Sequence, residues 1–457
     1  MVRQFVLAAA LAVAHGAQAQ DPTLARLIES AAAASPEVAQ ARADLGAERA
    51  RIPQAGTLPD PTLSLGIQND GFKAIQVGTM ETSYFSIMLT QQLYWPGKRG
   101  LRERVATLEA RRAEARLARA MLDLEARVRR AYLGLLLVRG QIDLLDEQER
   151  LWAQAEHTAR SRYESGQVPQ SDLLRAQLER ARLQQRRFAI DAELSTRLAE
   201  LNRLRLQPFE APVTTAARLG DLPDPALPPA ADAQQDAETR SPEIQLAVLG
   251  VEQADRRVDL ARKERLPDFA ITAAVMPRGS LDPMWQLGIS VGLPIFSGSK
   301  QGRAVEESEQ RRTGVSQGAA ALKQVLALRI HERLSALSAL NRANQQYRTQ
   351  VLVLSAATVR SSSTQYEVGR LPFAAVLEAL TGYVSDRASY LGSVADAQLV
   401  AIAQMEVSLE PLPSMGGAPS GAMPGAGATA VRTSAAASAG RSSGADAANP
   451  SRSMNGM

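Results

Sequence analysis

The side chains that most often carry enzyme chemistry are scarce in this sequence. Its 457 residues include no cysteine and only three histidines, His15, His157 and His331. Without cysteine there is no disulfide, thiolate metal site, lipid-anchor thiol or cysteine nucleophile. Three scattered histidines give little from which to build a zinc site or a Ser-His-Asp relay. Gly97-Lys98-Arg99-Gly100 and Gly298-Ser299-Lys300 place lysine beside glycine. They lack the G-x-x-x-x-G-K-[ST] spacing that cradles phosphate, and read as strand-to-helix turns with basic residues near a membrane surface. Met415, Met423, Met454 and Met457 could offer thioethers to a soft cation, but their spacing is irregular. The expectation is no catalytic residue, no metal site and no cofactor. The 52 Lys+Arg against 48 Asp+Glu leave a net charge of +4, which does not suggest a nucleic-acid partner.

The elements that position what remains begin with an export signal. Arg3, an apolar run from Phe5 to Ala14, and Ala17-Gln18-Ala19 form the n-region, h-region and cleavage pattern of a signal peptide over 1–19. Its apolar run is too short to span a bilayer, which takes about 20 residues. No later stretch is long and apolar enough to span as a helix. An exported chain can still enter a membrane through short alternating strands that close into a barrel.

The sequence repeats itself. Ser35-Pro36-Glu37-Val38 recurs as Ser241-Pro242-Glu243-Ile244, and Leu58-Pro59-Asp60 as Leu266-Pro267-Asp268. Tyr163-Glu164-Ser165-Gly166 recurs as Tyr366-Glu367-Val368-Gly369, each followed by a proline, Pro169 or Pro372. A near-constant offset of roughly 205 residues makes two homologous halves, 20–206 and 237–410. A Pro/Ala-rich linker, 207–236, joins them, and a Gly/Ser/Ala-rich tail, 411–457, reads as disordered.

Each half predicts helix, two strands, long helix, turn, helix. Trp285, Leu287, Ile289, Val291 and Leu293 alternate with Gln286, Gly288, Ser290 and Gly292, giving one apolar and one small or polar face. The predicted strand pairs are 61–69/82–93 and 269–277/284–294. Four strands are too few to close a barrel, which takes about eight. The predicted long helices, 99–163 and 299–366, carry coiled-coil seams. In the first, Leu117, Met121, Leu124, Val128, Ala131, Leu135, Val138, Ile142 and Leu145 step by fours and threes. In the second, Leu337, Leu340, Asn344, Tyr347, Val351 and Leu354 do the same, with Asn344 as the register-setting polar position. About 65 helical residues span roughly 100 Å at 1.5 Å each. The shorter helices, 171–206 with 237–265 and 373–409 with 21–51, match that length when stacked end to end. The fold class is therefore mainly α with a small β part, a rod of four helical columns standing on strands that several chains must pool. The arithmetic does not fix how many chains.

This order resembles the TolC-like outer-membrane efflux family over about residues 21–410. The most specific motifs are Tyr163-Glu-Ser-Gly-Gln-Val-Pro169 with Asp172-Leu173-Leu174, and Tyr366-Glu-Val-Gly-Arg-Leu-Pro372 with Val376-Leu377. Leu58-Pro59-Asp60-Pro61 and Trp95-Pro96-Gly97-Lys98-Arg99 are also characteristic, and look like the heavy-metal (CusC/CzcC-type) branch more than the drug branch. The resemblance implies a homotrimer with a 12-stranded outer-membrane β-barrel on a periplasmic α-barrel, in a Gram-negative type cell. It implies a periplasmic adaptor and an inner-membrane transporter of the RND type as partners, with outer-membrane lipid around the barrel. It places Gly166, Val168, Pro169, Gly369, Leu371 and Pro372 in adaptor-contacting turns at the periplasmic tip. Asp172 and Glu378 would sit at the entrance, although Ala375 stands where the second half often carries aspartate. The implied function is a passive export duct for metal ions or small toxic compounds. The alternatives are an outer-membrane component of protein secretion, or a periplasmic coiled-coil scaffold without a pore, which would leave the alternating strands unexplained.

Overall fold

The computed structural model describes residues 22–412, so the signal-peptide expectation and all but the first two residues of the expected tail lie outside the described residues. The elements run α1 (Pro22–Ala34), α2 (Pro36–Gly56), β1 (Thr62–Gln68), β2 (Tyr84–Leu93), α3 (Lys98–Glu164) and α4 (Gln170–Leu204). After a 3-10 turn at Leu219–Asp221 come α5 (Ala230–Arg240), α6 (Pro242–Lys263), β3 (Phe269–Arg278) and β4 (Leu281–Val291). The described residues finish with α7 (Gln301–Gln346), a π-helical turn at Tyr347–Val351, α8 (Leu352–Glu367) and α9 (Phe373–Glu406).

The repeated Ser-Pro-Glu motifs are helix breaks with a built-in restart. The Ser35 and Ser241 hydroxyls accept the amides of Val38 and Ile244, both at 3.3 Å. The following prolines occupy the first helical turn, where the missing N–H costs nothing. The helix expected from 237 therefore starts earlier, at Ala230, and breaks at Ser241, so the linker is shorter than its composition suggested.

The long second helix, expected over 299–366, runs without a break from Gln301 to Glu367 but carries a π-helical turn at Tyr347–Val351. The π-turn adds one residue to the backbone spiral and rotates the helix beyond it. The apolar seam accordingly slips by one position. Leu354 is 67% exposed, while Val359, Ser362 and Tyr366 carry the buried face. Asn344 is fully buried, but faces the linker rather than a coiled-coil partner. Its Nδ2 lies 3.5 Å from Asp224, while Asn341 donates to the Pro225 carbonyl at 2.9 Å. Gln398 and Tyr390 of α9 bond to Pro223 and Gly220, so the linker is a strap laid across α7 and α9.

In α3 the single seam proves too narrow. Tyr132, Leu133, Leu136 and Leu144 are buried beside Leu124, Val128, Leu135 and Val138, whereas Met121 is exposed. The cause is position: α3 packs against α2 and α6 in its first half and α4 and α9 in its second. Burial on two sides erases a clean heptad.

The columns stack end to end, and arginines of α3 and the end of α4 fasten the joints. Arg205 at the end of α4 donates to Ser30 of α1 at 3.1 Å, while Arg127 pairs with Glu37 at the start of α2. At the other joint Arg119 bridges Glu243, opening α6, and Glu406, closing α9. Arg130 also reaches Glu406, whose side chain is 4% exposed. Among the helices, α2 and α4 make their main contact with α3, and α7 and α8 flank α6 and α9. The described helices thus form a slab whose two edges, α2/α4 and α7/α8, are uncovered among the described residues.

A second network sets an acid limit. Burial alone would raise the Glu109 carboxyl, but hydrogen bonds from Arg116 and Gln253 and the charges of Arg112 and Arg116 hold it at about 2, below its ordinary 4.5. A depressed carboxylate contributes stability above its unfolded value and loses it as pH falls toward the folded one. Thermal melts should show Glu109→Gln destabilised at pH 7 by on the order of 2 kcal/mol. The gap to the parent should close between pH 4.5 and pH 2.

Candidate functional site

Two regions concentrate the features that bear on function, the sheet and the tip of the helical hairpins. The sheet has order β1-β2-β3-β4, all antiparallel. Its register aligns Leu65, Ile87, Val275 and Trp285 across all four strands, and Leu63, Leu89, Ala273 and Leu287 in the next row. The interleaved rows are Ser64, Met88, Ala274, Gln286 and Thr62, Thr90, Thr272, Gly288. Because strand side chains alternate, one face is apolar and the other small or polar. The apolar face is bare: Trp285 is 79%, Ile289 74% and Leu65 73% exposed. The polar face carries a cross-strand Thr90–Thr272 hydroxyl contact at 3.2 Å. Both outer strands, β1 and β4, have one unpaired edge among the described residues.

β4 starts and ends about three residues earlier than its pattern suggested. Gly279, at φ +66°, makes a two-residue turn with Ser280, so Arg278 already pairs with Leu281. Pro277 and Pro283 lie inside the strands, where the register shifts between Met276 and Arg278. A proline cannot donate to the ladder, which explains the irregularity. The longer β1–β2 loop folds over this turn. A Cβ on Gly279 would sit 2.8 Å from Gly78, and Ser280 donates to the Gly78 carbonyl at 2.7 Å.

Where β2 becomes α3, Lys98 is not a surface cation. It is 2% exposed and donates to Asp268 at 2.9 Å and to the Leu266 carbonyl at 2.8 Å. Asp268 also accepts the Trp95 amide at 2.8 Å. The Leu-Pro-Asp landmark of the second half is thus the anchor for the strand-to-helix turn of the first.

At the opposite end, Gly166 and Gly369 adopt φ +73° and +78°. The amides of Gln167 and Arg370 reach back to the carbonyls of Arg162 and Gln365, both at 2.8 Å, closing a left-handed helix cap that favours glycine. The structure brings the two turns together. Arg162 of the first donates to the Tyr366 carbonyl of the second, and its guanidinium lies 4.8 Å from the centre of the Tyr366 ring. Tyr366 packs on Phe373 with ring centres 5.3 Å apart. Burial pushes the Tyr366 phenol up, and the charge of nearby Asp172 adds to the shift. Pro169, Pro372 and Glu378 are exposed, whereas Val168 and Leu371 are half-buried and Val168 packs into the tip core. Val368 is the more exposed apolar residue there. Arg162, Tyr366 and Phe373 escaped the sequence reading as a unit. The repeated Tyr163/Tyr366 pair was the available signal, but only the second tyrosine is buried. His157 and His331 are exposed on helices.

The clamp is testable. Gly166→Ala and Gly369→Ala should each cost about 1 kcal/mol for placing a side chain at positive φ. Gly369→Ala should cost more, because its new Cβ meets the Arg162 guanidinium at 3.1 Å. Hydrogen exchange of residues 366–373 should accelerate in Gly369→Ala and in Arg162→Ala alike. Unchanged exchange in both would mean the clamp does not hold the tip.

Comparison with known proteins supplies the class. Residues 27–205 match the model of the outer membrane efflux protein family. No curated protein matches the chain at the level of sequence. Among solved structures, the outer-membrane channel OprN is similar with TM-score 0.70 and 18% identity, covering 86% of this chain and 91% of that one. VceC from Vibrio cholerae has TM-score 0.70 and 17% identity, covering 86% and 98%. CusC has TM-score 0.69 and 18% identity, covering 86% and 93%. Residues 27–205 are therefore similar to the outer membrane efflux protein family by sequence, and the described residues share the fold of TolC-like channels, a helical part carrying a β part.

Proposed function

We propose that this chain is the outer-membrane duct of an efflux system, a homotrimer in which twelve strands close one barrel on a hollow helical stalk. The observation that carries it is the open four-stranded sheet, with a bare apolar face and two unpaired edges. Lipid demands that every backbone group be paired within the protein, so such a sheet reaches a membrane only by closing with copies of itself. The helical slab has its free edges on the same two sides as the sheet. α2 leads into β1, and β4 leads into α7. A head-to-tail ring therefore joins β4, α7 and α8 of one copy to β1, α2 and α4 of the next. Bare apolar residues occupy both lower edges, Leu174, Leu178 and Phe188 on α4 and Val353 and Leu354 on α8.

In this reading the apolar face meets outer-membrane lipid, and the Ser64 and Thr62 rows line an aqueous lumen. Export is passive, driven by an inner-membrane transporter of the RND type. A periplasmic adaptor meets the tip through Pro169, Pro372 and Val368 beside Gly166, Val168, Gly369 and Leu371. Asp172 and Glu378 stand at the entrance. The cargo is a metal ion or small toxic compound, and likeness to CusC sits beside equal likeness to OprN and VceC. A protein-secretion duct shares the same architecture, while a pore-free scaffold does not account for the bare sheet face.

Purified protein in a planar lipid bilayer should carry discrete ionic currents. Asp172→Ala or Glu378→Ala should weaken block by added divalent cations. Absence of current would remove the duct reading, and unchanged block in both variants would remove the entrance role of the carboxylates.

A further inference from the structure

We propose that Lys300 of one copy pairs with Asp60 of the next, repeating between chains the Lys98–Asp268 contact that each chain makes within itself. The proposal rests on the closed-ring reading above and assigns the residues of its junction. The internal repeat supplies the template. Asp268 ends Leu266-Pro267-Asp268 immediately before β3, and Lys98 opens the helix after β2, the neighbour of β3 in the sheet. Asp60 ends the same tripeptide before β1, and Lys300 caps the helix after β4. In a head-to-tail ring β4 lies beside β1 of the next copy, so the second lysine, at the helix cap one position before the place Lys98 holds in its helix, comes to the same strand-to-helix corner as that aspartate.

Three further observations agree. Lys300 is the only basic residue between Arg278 and Arg303. It is exposed, and so is Asp60, and neither makes an ion pair among the described residues. The acids that Lys300 could otherwise reach on its own helix are taken: Glu306 by Arg303, Glu307 by Arg311 and Glu309 by Arg262. Beside it Leu293, Ile295 and Phe296 are bare, whereas in the first half Tyr94 is covered by Arg102, whose guanidinium stands 4.0 Å from the ring. The second turn has the parts of the first and lacks its cover.

The absence of cysteine makes the test clean. The Asp60→Cys/Lys300→Cys variant, assembled in membranes and treated with a short bis-methanethiosulfonate, should give a ladder of covalent dimers and trimers on a denaturing gel. The Lys98→Cys/Asp268→Cys variant should link within the chain and show no ladder. In the cysteine-free protein, Asp60→Lys and Lys300→Asp should each lower the dissociation temperature of the oligomer by several degrees, and the double reversal should restore most of it. No ladder and no restoration, from protein that still sediments as an oligomer, would overturn the pair while leaving the ring intact. A parent protein that is monomeric in detergent would overturn the ring, and the pair with it.

Discussion

Leu287→Arg should keep the protein out of the membrane, while Gln286→Arg, one residue away, should not. Leu287 lies in the bare apolar row with Leu63, Leu89 and Ala273, and Gln286 lies on the opposite face with Ser64, Met88 and Ala274. Arginine on the lipid side of a barrel costs about 2–4 kcal/mol near the bilayer midplane, and a trimer multiplies that threefold. The same side chain on the lumen side stays hydrated. Membrane fractionation reads the difference directly. Helix content should be unchanged in both variants, because the helical cores contain neither residue. Equal membrane recovery of the two would mean that the apolar face does not meet lipid.

The largest loss of stability should come from Glu406→Ala. Its buried carboxylate joins Arg119 and Arg130 of α3 at the seam between α6 and α9. Removing one member of a buried charge cluster leaves the others uncompensated, at a cost of about 3–5 kcal/mol. Here the partners are 22% and 36% exposed, so water can recover part of that, and about 3 kcal/mol is expected. Arg119 would keep Glu243 and Asp123, whereas no other ion-pair partner is resolved for Arg130 among the described residues. The loss should therefore fall chiefly at the Arg130 side. Denaturant melts of Glu406→Ala and of Glu406→Ala/Arg130→Met should differ, with the double variant more stable than the single. A single variant within about 0.5 kcal/mol of the parent would show that the joint is held by apolar packing alone.

Much of this was legible because the decisive signals are local. Alternation from Trp285 to Val291 marks a strand whose two faces differ, and that holds whatever the strand packs against. Gly166 and Gly369 announce helix ends because a left-handed cap favours glycine. Other features were hidden because they depend on residues far apart in the chain. Lys98 and Asp268 are about 170 positions apart, and Lys98 read as a basic residue near a membrane surface, Asp268 only as a repeat landmark, until the sheet brought β2 beside β3. The clamp of Arg162 on Tyr366 spans about 200 positions. The π-turn at Tyr347–Val351 leaves little local signature, and shows itself only as a seam that stops fitting at Leu354. The buried sides of α3 overlap, so its pattern reads as one stripe when the helix has several neighbours.

The joints illustrate the same point from the other direction. Ser35-Pro36-Glu37 and Ser241-Pro242-Glu243 were visible as repeats, yet their charges serve different arginines, Arg127 and Arg119, on one helix. At the corresponding place α7 presents Leu322, Leu326 and Ile330 to Ala233, Ala237 and Ile244. Both long helices combine apolar contact with arginines at these joints, but those of α3 meet carboxylates while Arg329 and Arg333 of α7 meet the backbone carbonyls that follow α9, a difference that repeat symmetry alone does not foretell.

The mass of the protein in detergent tests the central idea most directly. Native mass spectrometry of protein extracted from outer membranes should give one species of three chains, intact until the detergent is stripped away. A single chain in gentle detergent, with its sheet edges unpaired, would contradict the account.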